Sequence, residues 1–220
     1  MIAKELISHS ILPVKTSDTG EQVLERMQIY HVSHLPIVNN EKILGIISED
    51  DILIHDPTES IGAYRLQHQQ IYCSERDHIF DLMTKIGTFK LTLLPVIDTD
   101  NEVYIGVITL EDVLKYFAVQ FSFTDPGSIL VIETSGRNYL LSEIIRLAEG
   151  EDITVLSSFT TSMPDSNKVF ITLKLNAQDI HTYKASLERF GYEIYATFSD
   201  GGFGDTLQER YDSLMSYLNI

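Results

Sequence analysis

The chain has no tryptophan and a single cysteine, Cys73, among 220 residues. One thiol closes no internal disulfide and builds no cysteine zinc cage, so neither an oxidising compartment nor a structural metal is called for. Basic residues are scarce: 16 Lys and Arg stand against 32 Asp and Glu, a formal charge of −16. Such a surface repels phosphate backbones and anionic lipid, which argues against general nucleic-acid or membrane binding. No apolar run reaches the roughly 18 residues of a membrane span, and the opening MIAKELISHSIL has no basic head before a long apolar stretch. The expectation is a soluble, cytoplasmic protein. P-loop and G-x-G-x-x-G motifs are missing, as is any nucleophile with a base at a recognisable spacing, so the chain does not read as an enzyme.

What the chain does have is apolar content, 44%, enough for two cores, and a repeat. GIISEDDIL at 45–53 returns as GVITLEDVL at 106–114, and HVSHLPIV at 31–38 returns as KLTLLPVI at 90–97. Between these blocks the turn NNEK becomes the longer DTDNEV, an insertion in a hairpin loop where extra length costs little. Each copy reads as helix, strand, strand, helix. The first helix, 19–30, carries Val23, Leu24 and Met27 on one face,. The strands LPIV and LPVI open on proline and lead through Asn/Asp turns to ILGII and YIGVI,. In the second copy the closing helix presents Val113, Leu114 and Phe117. A unit of about 50 residues cannot cover both faces of its sheet, so the copies should pack on each other about a pseudo-twofold axis.

Ser48-Glu49-Asp50-Asp51 and Thr109-Leu110-Glu111-Asp112 permit two readings. A Ser or Thr with an acid three residues on is close to a capping box, which needs no ligand. A carboxylate there can also accept from both hydroxyls of a ribose. Hydrophobic-Pro-hydrophobic-hydrophobic, a turn, then Gly-hydrophobic-hydrophobic-Ser/Thr-x-x-Asp resembles the CBS domain, which pairs into Bateman modules. The resemblance covers roughly 1–121, with repeat 1 at 1–57 and a linker and repeat 2 at 58–121. It implies a regulatory module that binds an adenosyl ligand such as AMP, ADP, ATP or S-adenosylmethionine between the repeats and forms a homodimer. On that basis Asp51 and Asp112 are the ribose candidates, with Ser48 and Thr109 beside them. Family phosphate sites place basic residues before the hydrophobic-Pro pair. Here Ser33-His34 and Thr92-Leu93 stand there, so His34 is the one group able to become cationic, with Lys90, Arg65 and Arg76 as candidates to reach inward. AMP or another lightly charged adenosyl ligand ranks above ATP. His31 and His34, at a helix end entering a strand, make a poor metal pair.

After the turn-rich FSFTDPGS at 121–128 the order becomes βαββαβ over 129–198. The helix at 138–149 should turn Leu140, Leu141, Ile144, Ile145 and Ala148 inward, and the second helix Ile180, Tyr183, Leu187 and Phe190. That order is the ferredoxin-like split-βαβ arrangement within an α+β fold class. SGRNYLLSEIIRLAEGEDITVLS resembles the first loop, helix and strand of an ACT domain, which implies dimerisation and, in many members, amino-acid binding. The Asp-x-x-Gly loop is missing: Gly136 is followed by Arg137-Asn138. The architecture resembles the acetoin-utilisation regulator type of CBS-ACT protein, without identifying the regulated partner. The remaining 199–220 reads as a glycine-rich joint and an amphipathic helix with Leu207, Tyr211, Leu214, Met215 and Leu218 on one face,. It would dock on its own subunit or on a dimer mate.

Overall fold

The computed structural model describes residues 2–64, 71–136, 139–163 and 166–199. The chain divides into two compact units, Met1–Phe117 and Ala118–Ile220. Arg65, the Arg137-Asn138 pair and the proposed C-terminal helix lie outside the described residues.

The first unit is built from the repeat. Helix α1 (Gly20–Tyr30) leads to strands β1 (His34–Asn39) and β2 (Lys42–Ser48), followed by the short α2 (Glu49–Leu53). The second copy runs β3 (Cys73–Ser74), α3 (Ile79–Phe89), β4 (Leu93–Asp98), β5 (Val103–Thr109) and α4 (Leu110–Gln120). Both hairpins are antiparallel and carry a bulge at the same place, Ile37/Val38 and Val96/Ile97. Both first helices end in a left-handed residue, His31 at φ 54° and Lys90 at φ 52°. Local conformation therefore repeats along with sequence. The repeat also holds one element more than expected. Val14 pairs in parallel with Ile37 as Cys73 does with Val96. This side uses only the carbonyl of Pro36, which accepts from Val14 N–H at 2.9 Å. That is why proline is tolerated as the third residue of β1 rather than its first,.

The two copies exchange side chains. Ile46 of β2 packs in the core of the second repeat, with Cys73, Leu82, Leu94 and Ile108. Its counterpart Val107, with Leu93, packs in the core of the first, beside Val23, Leu35 and Ile52. The N-terminal segment crosses too: Ala3 is fully buried in the second core, and Ser8 exchanges backbone hydrogen bonds with Val107 at 2.8 and 3.1 Å. Gly106 is required at this approach, because a β-carbon there would lie 2.6 Å from Ile7 Cγ2 and 2.9 Å from the Ser8 carbonyl oxygen. One expected core position differs. Leu114 is 68% exposed, since α4 buries a stripe led by Val113, as α3 buries one led by Leu82 and Ile86.

The second unit runs β6 (Ser128–Ser135), α5 (Leu141–Glu149), β7 (Val155–Ser162), β8 (Lys168–Leu175), α6 (His181–Arg189) and β9 (Glu193–Ser199). The strands form an antiparallel sheet in the order β7-β8-β6-β9. Leu130, Ile132, Ile171 and Leu173 on one face meet Ile144 and Ala148 of α5 and Tyr183 and Leu187 of α6. The Tyr183 hydroxyl donates to the Ile144 carbonyl at 3.0 Å, fixing the helices to each other. Leu140 and Phe190, expected in this core, are 64% and 47% exposed. Each lies just outside its helix, as N-cap of α5 and C-cap of α6, where the helical stripe no longer applies.

Candidate functional site

Ser48 ends β2 and Asp51 lies in the first turn of α2. Asp51 Oδ2 accepts from the Ser48 N–H at 2.9 Å and from its hydroxyl at 2.6 Å, while Ser48 Oγ accepts from Asp51 N–H at 3.1 Å. The second copy reproduces this: Thr109 donates to Asp112 Oδ2 from nitrogen at 3.2 Å and from Oγ1 at 2.6 Å, and accepts from Asp112 N–H at 3.0 Å. Both sequences therefore form capping boxes, which satisfy the orphan amides of a helix start. In each box one carboxylate oxygen, Oδ2, does all of this. Oδ1 accepts no hydrogen bond from the described residues.

His34 faces Ser48 across the hairpin as Leu93 faces Thr109, so each box has its own neighbour from the preceding strand. His34 is 9% exposed, and its ring reaches the other repeat. Thr92 N–H donates to its Nδ1 at 3.3 Å, Thr92 Oγ1 lies 3.0 Å from the same atom, and Ser33 N–H donates to that Oγ1 at 3.1 Å. An amide donor fixes Nδ1 as an acceptor, which is the neutral imidazole. The two helices are anchored in parallel fashion, Glu49 N–H donating to the Ser33 carbonyl and Leu110 N–H to the Thr92 carbonyl, both at 3.0 Å. The five predicted site residues thus fall into two clusters, His34-Ser48-Asp51 and Thr109-Asp112, that adjoin at the Ser33–Thr92 junction.

The clusters differ in access. Asp51 is 1% exposed, whereas Thr109 and Asp112 are half-buried. An open pocket of about 380 Å³ beside the first cluster is lined by Leu24, Met27, Gln28, His31, Ser33 and Glu49. No described lysine or arginine enters either cluster. Arg76 is exposed and paired with Glu75 and Asp100, and Lys90 is exposed at the end of α3. Among the described residues no trio of His, Cys, Asp or Glu is placed to hold a metal ion, and no helix is long and apolar enough to cross a membrane.

Thr92, noted in the sequence only for standing where a basic residue was expected, and Tyr104, not singled out there at all, complete the repeat interface. Tyr104 of β5 packs against the core of the first repeat. Its hydroxyl is the one buried side-chain polar atom without a partner among the described residues, and burial pushes it up to about 12. A threonine and a tyrosine in β-rich sequence carry no signal for such roles, which arise from cross-repeat packing.

Residues 3–57 and 65–119 match the CBS domain family, and the chain belongs to that family. It is 30% identical over 116 residues to the inosine-5′-monophosphate dehydrogenase of Methanocaldococcus jannaschii, covering 51% of this chain and 23% of the dehydrogenase. A CBS domain-containing protein of that organism is 26% identical over 119 residues, 53% of this chain and 95% of that protein. The chain spans less than half the length of the first two curated relatives, 23% and 42%. Among solved structures, a CBS domain pair/ACT domain protein from Thermotoga maritima is 21% identical, with a TM-score of 0.48 over 54% of this chain and 98% of that one. A CBSX2 protein solved in complex with AMP is 20% identical, with a TM-score of 0.47 over 55% and 98%.

Proposed function

We propose that the chain is a cytoplasmic, non-catalytic regulator that binds an adenosyl ligand between its CBS repeats. One observation carries this reading: two capping boxes each use a single carboxylate oxygen, leaving Oδ1 of Asp51 and Asp112 to accept from a ribose diol,. A cap alone needs Oδ2. Asp112, the more accessible of the two, binds first. His34 bonds to Thr92 and no lysine or arginine among the described residues is at hand, so an AMP-like ligand or another with little charge is favoured over ATP. The Tyr104 hydroxyl, without a partner among the described residues, gives a polar group of such a ligand, or a water, a partner between the repeats. Ligand binding acts on the repeat junction through unequal affinity for two packings. The second unit, read as a ferredoxin-like ACT-type domain from its βαββαβ order, passes the change to a partner protein. Exposed Met83, Leu110 and Leu114 on α3 and α4 and the edge strands β7 and β9 support a homodimer.

Thermal unfolding of the full chain with AMP, ADP, ATP, S-adenosylmethionine, NAD and amino acids tests this. A ligand at 100 times its dissociation constant stabilises by about 2.7 kcal/mol, and the AMP shift should exceed that of ATP. Asp112→Asn keeps an acceptor for the cap and should abolish most of the shift; no shift with any adenosyl compound at millimolar concentration rules the reading out. A second reading, amino-acid sensing, is favoured by a cavity of about 670 Å³ in the second unit, where Glu143, Tyr192, Lys168 and Ser135 converge at a helix start without a side-chain cap. An amino-acid shift untouched by Asp112→Asn would establish it.

A further inference from the structure

Helices α5 and α6 both pack on the face of the second unit's sheet that carries Leu130, Ile132, Ile171 and Leu173. Alternation puts Ile129, Val131, Thr172 and Lys174 on the other face, where an antiparallel sheet ordinarily turns polar residues to water. This sheet does not. Phe198 pairs with Ile129, Phe159 pairs with Thr172, and Tyr195 meets the Phe170 ring edge-on at 4.9 Å. Phe123 extends the patch, 5.9 Å from Phe159. Tyr195, Phe198 and Phe123 are more than half exposed. The charges on this face are segregated along the strands. At one end Lys174, paired across to Ile129, is 8% exposed and has no ion-pair partner among the described residues. At the other end Glu133 and Glu193 pair side by side on β6 and β9, ~13 Å along the strands from Lys174, and Lys168 bonds to Glu133.

We propose that a second copy of this chain packs its own sheet against this face, the two sheets lying back to back about a twofold axis that crosses the strands near Val131. Such an axis turns one sheet end for end over the other. The Lys174 end of each copy then lies over the Glu133 and Glu193 end of its mate, and exposed Glu193 supplies the carboxylate that Lys174 lacks. One face thus carries both halves of the match, as an isologous contact between identical copies requires. The area also suffices. Four strands ~4.8 Å apart and, at eight residues for β6 and β8, ~26 Å long present roughly 500 Å². Over two copies that is about 1,000 Å², the size at which an interface becomes specific. The contact uses the face of the sheet, not the patch on α3 and α4 or the backbone edges of β7 and β9, so it stands or falls independently of the homodimer contacts proposed above.

The test is cysteine cross-linking of the full chain in a Cys73→Ser background. Val131→Cys, close to the axis, should give a covalent pair of chains with a short bis-maleimide. Thr182→Cys, exposed on α6 at the other side of the sheet, should not. No link from Val131→Cys, which leaves the face to residues 200–220 or to another protein, overturns the proposal, as does equal linking from both positions. Sedimentation needs no cysteine variant. Tyr195→Asp with Phe198→Asp, both at exposed positions, should halve the mass of the parent assembly; an unchanged mass overturns the proposal.

Discussion

Cys73 shows how far burial sets chemistry at a single residue. It is 1% exposed in the core of the second repeat, its thiol 3.5 Å from the Pro95 carbonyl oxygen. Burial pushes the thiol from an ordinary 9.0 up to about 12, with Lys85 partly opposing. The folded state therefore favours the neutral thiol. Its contribution is fully present below pH 9 and is lost as the pH rises toward 12, by at most about 1.4 kcal/mol per unit. Urea unfolding at pH 9 and 10 should show this fall in the parent chain and a shallower one in Cys73→Ala; equal slopes would contradict it. The sequence marks Cys73 only as a lone thiol; its burial comes from the packing of the second repeat. His34 could be singled out in the sequence, but its bond to Thr92 could not, because the two are 58 positions apart and meet only once the repeats pack.

At the scale of elements, the boxes were legible because Ser/Thr-x-x-Asp is a local signal, complete within four residues. Their unequal burial was not, since it depends on what each helix start packs against. Losing an N-cap hydroxyl costs about 0.5–2 kcal/mol, more where the abandoned carboxylate is buried. Ser48→Ala, which strips nearly inaccessible Asp51, should therefore destabilise the chain more than Thr109→Ala, which leaves Asp112 half in water. Denaturant midpoints of the two variants decide this, and the reverse order would place Asp112 in the drier setting. Strands of seven or eight residues such as β5 and β8 announced themselves by pattern. β3, with two residues, and the single bridge at Val14 are too short for any period, so the parallel pairing in each repeat emerged only from the structure.

For the whole molecule the charge of −16 dominates. Two of the described ion pairs, Lys115–Glu111 and Arg76–Asp100, join largely exposed side chains, and pairs of that kind contribute little. Repulsion among the excess carboxylates should outweigh them. Raising the salt from about 10 to about 150 mM shortens the screening length from roughly 30 to 8 Å and should raise the melting temperature. A lower melting temperature at the higher salt would mean that attractive pairs prevail.

The exchange of Ile46 and Val107 between cores bears on how such a chain could have arisen. A gene encoding one repeat would specify a protein short of part of its own interior, able to fold only by lending that side chain to an identical copy and borrowing one back. Its stability would rise and fall with its concentration. Joining two copies end to end makes the encounter intramolecular and frees each half to diverge, which is how one copy could come to hold His34 where the other holds Leu93.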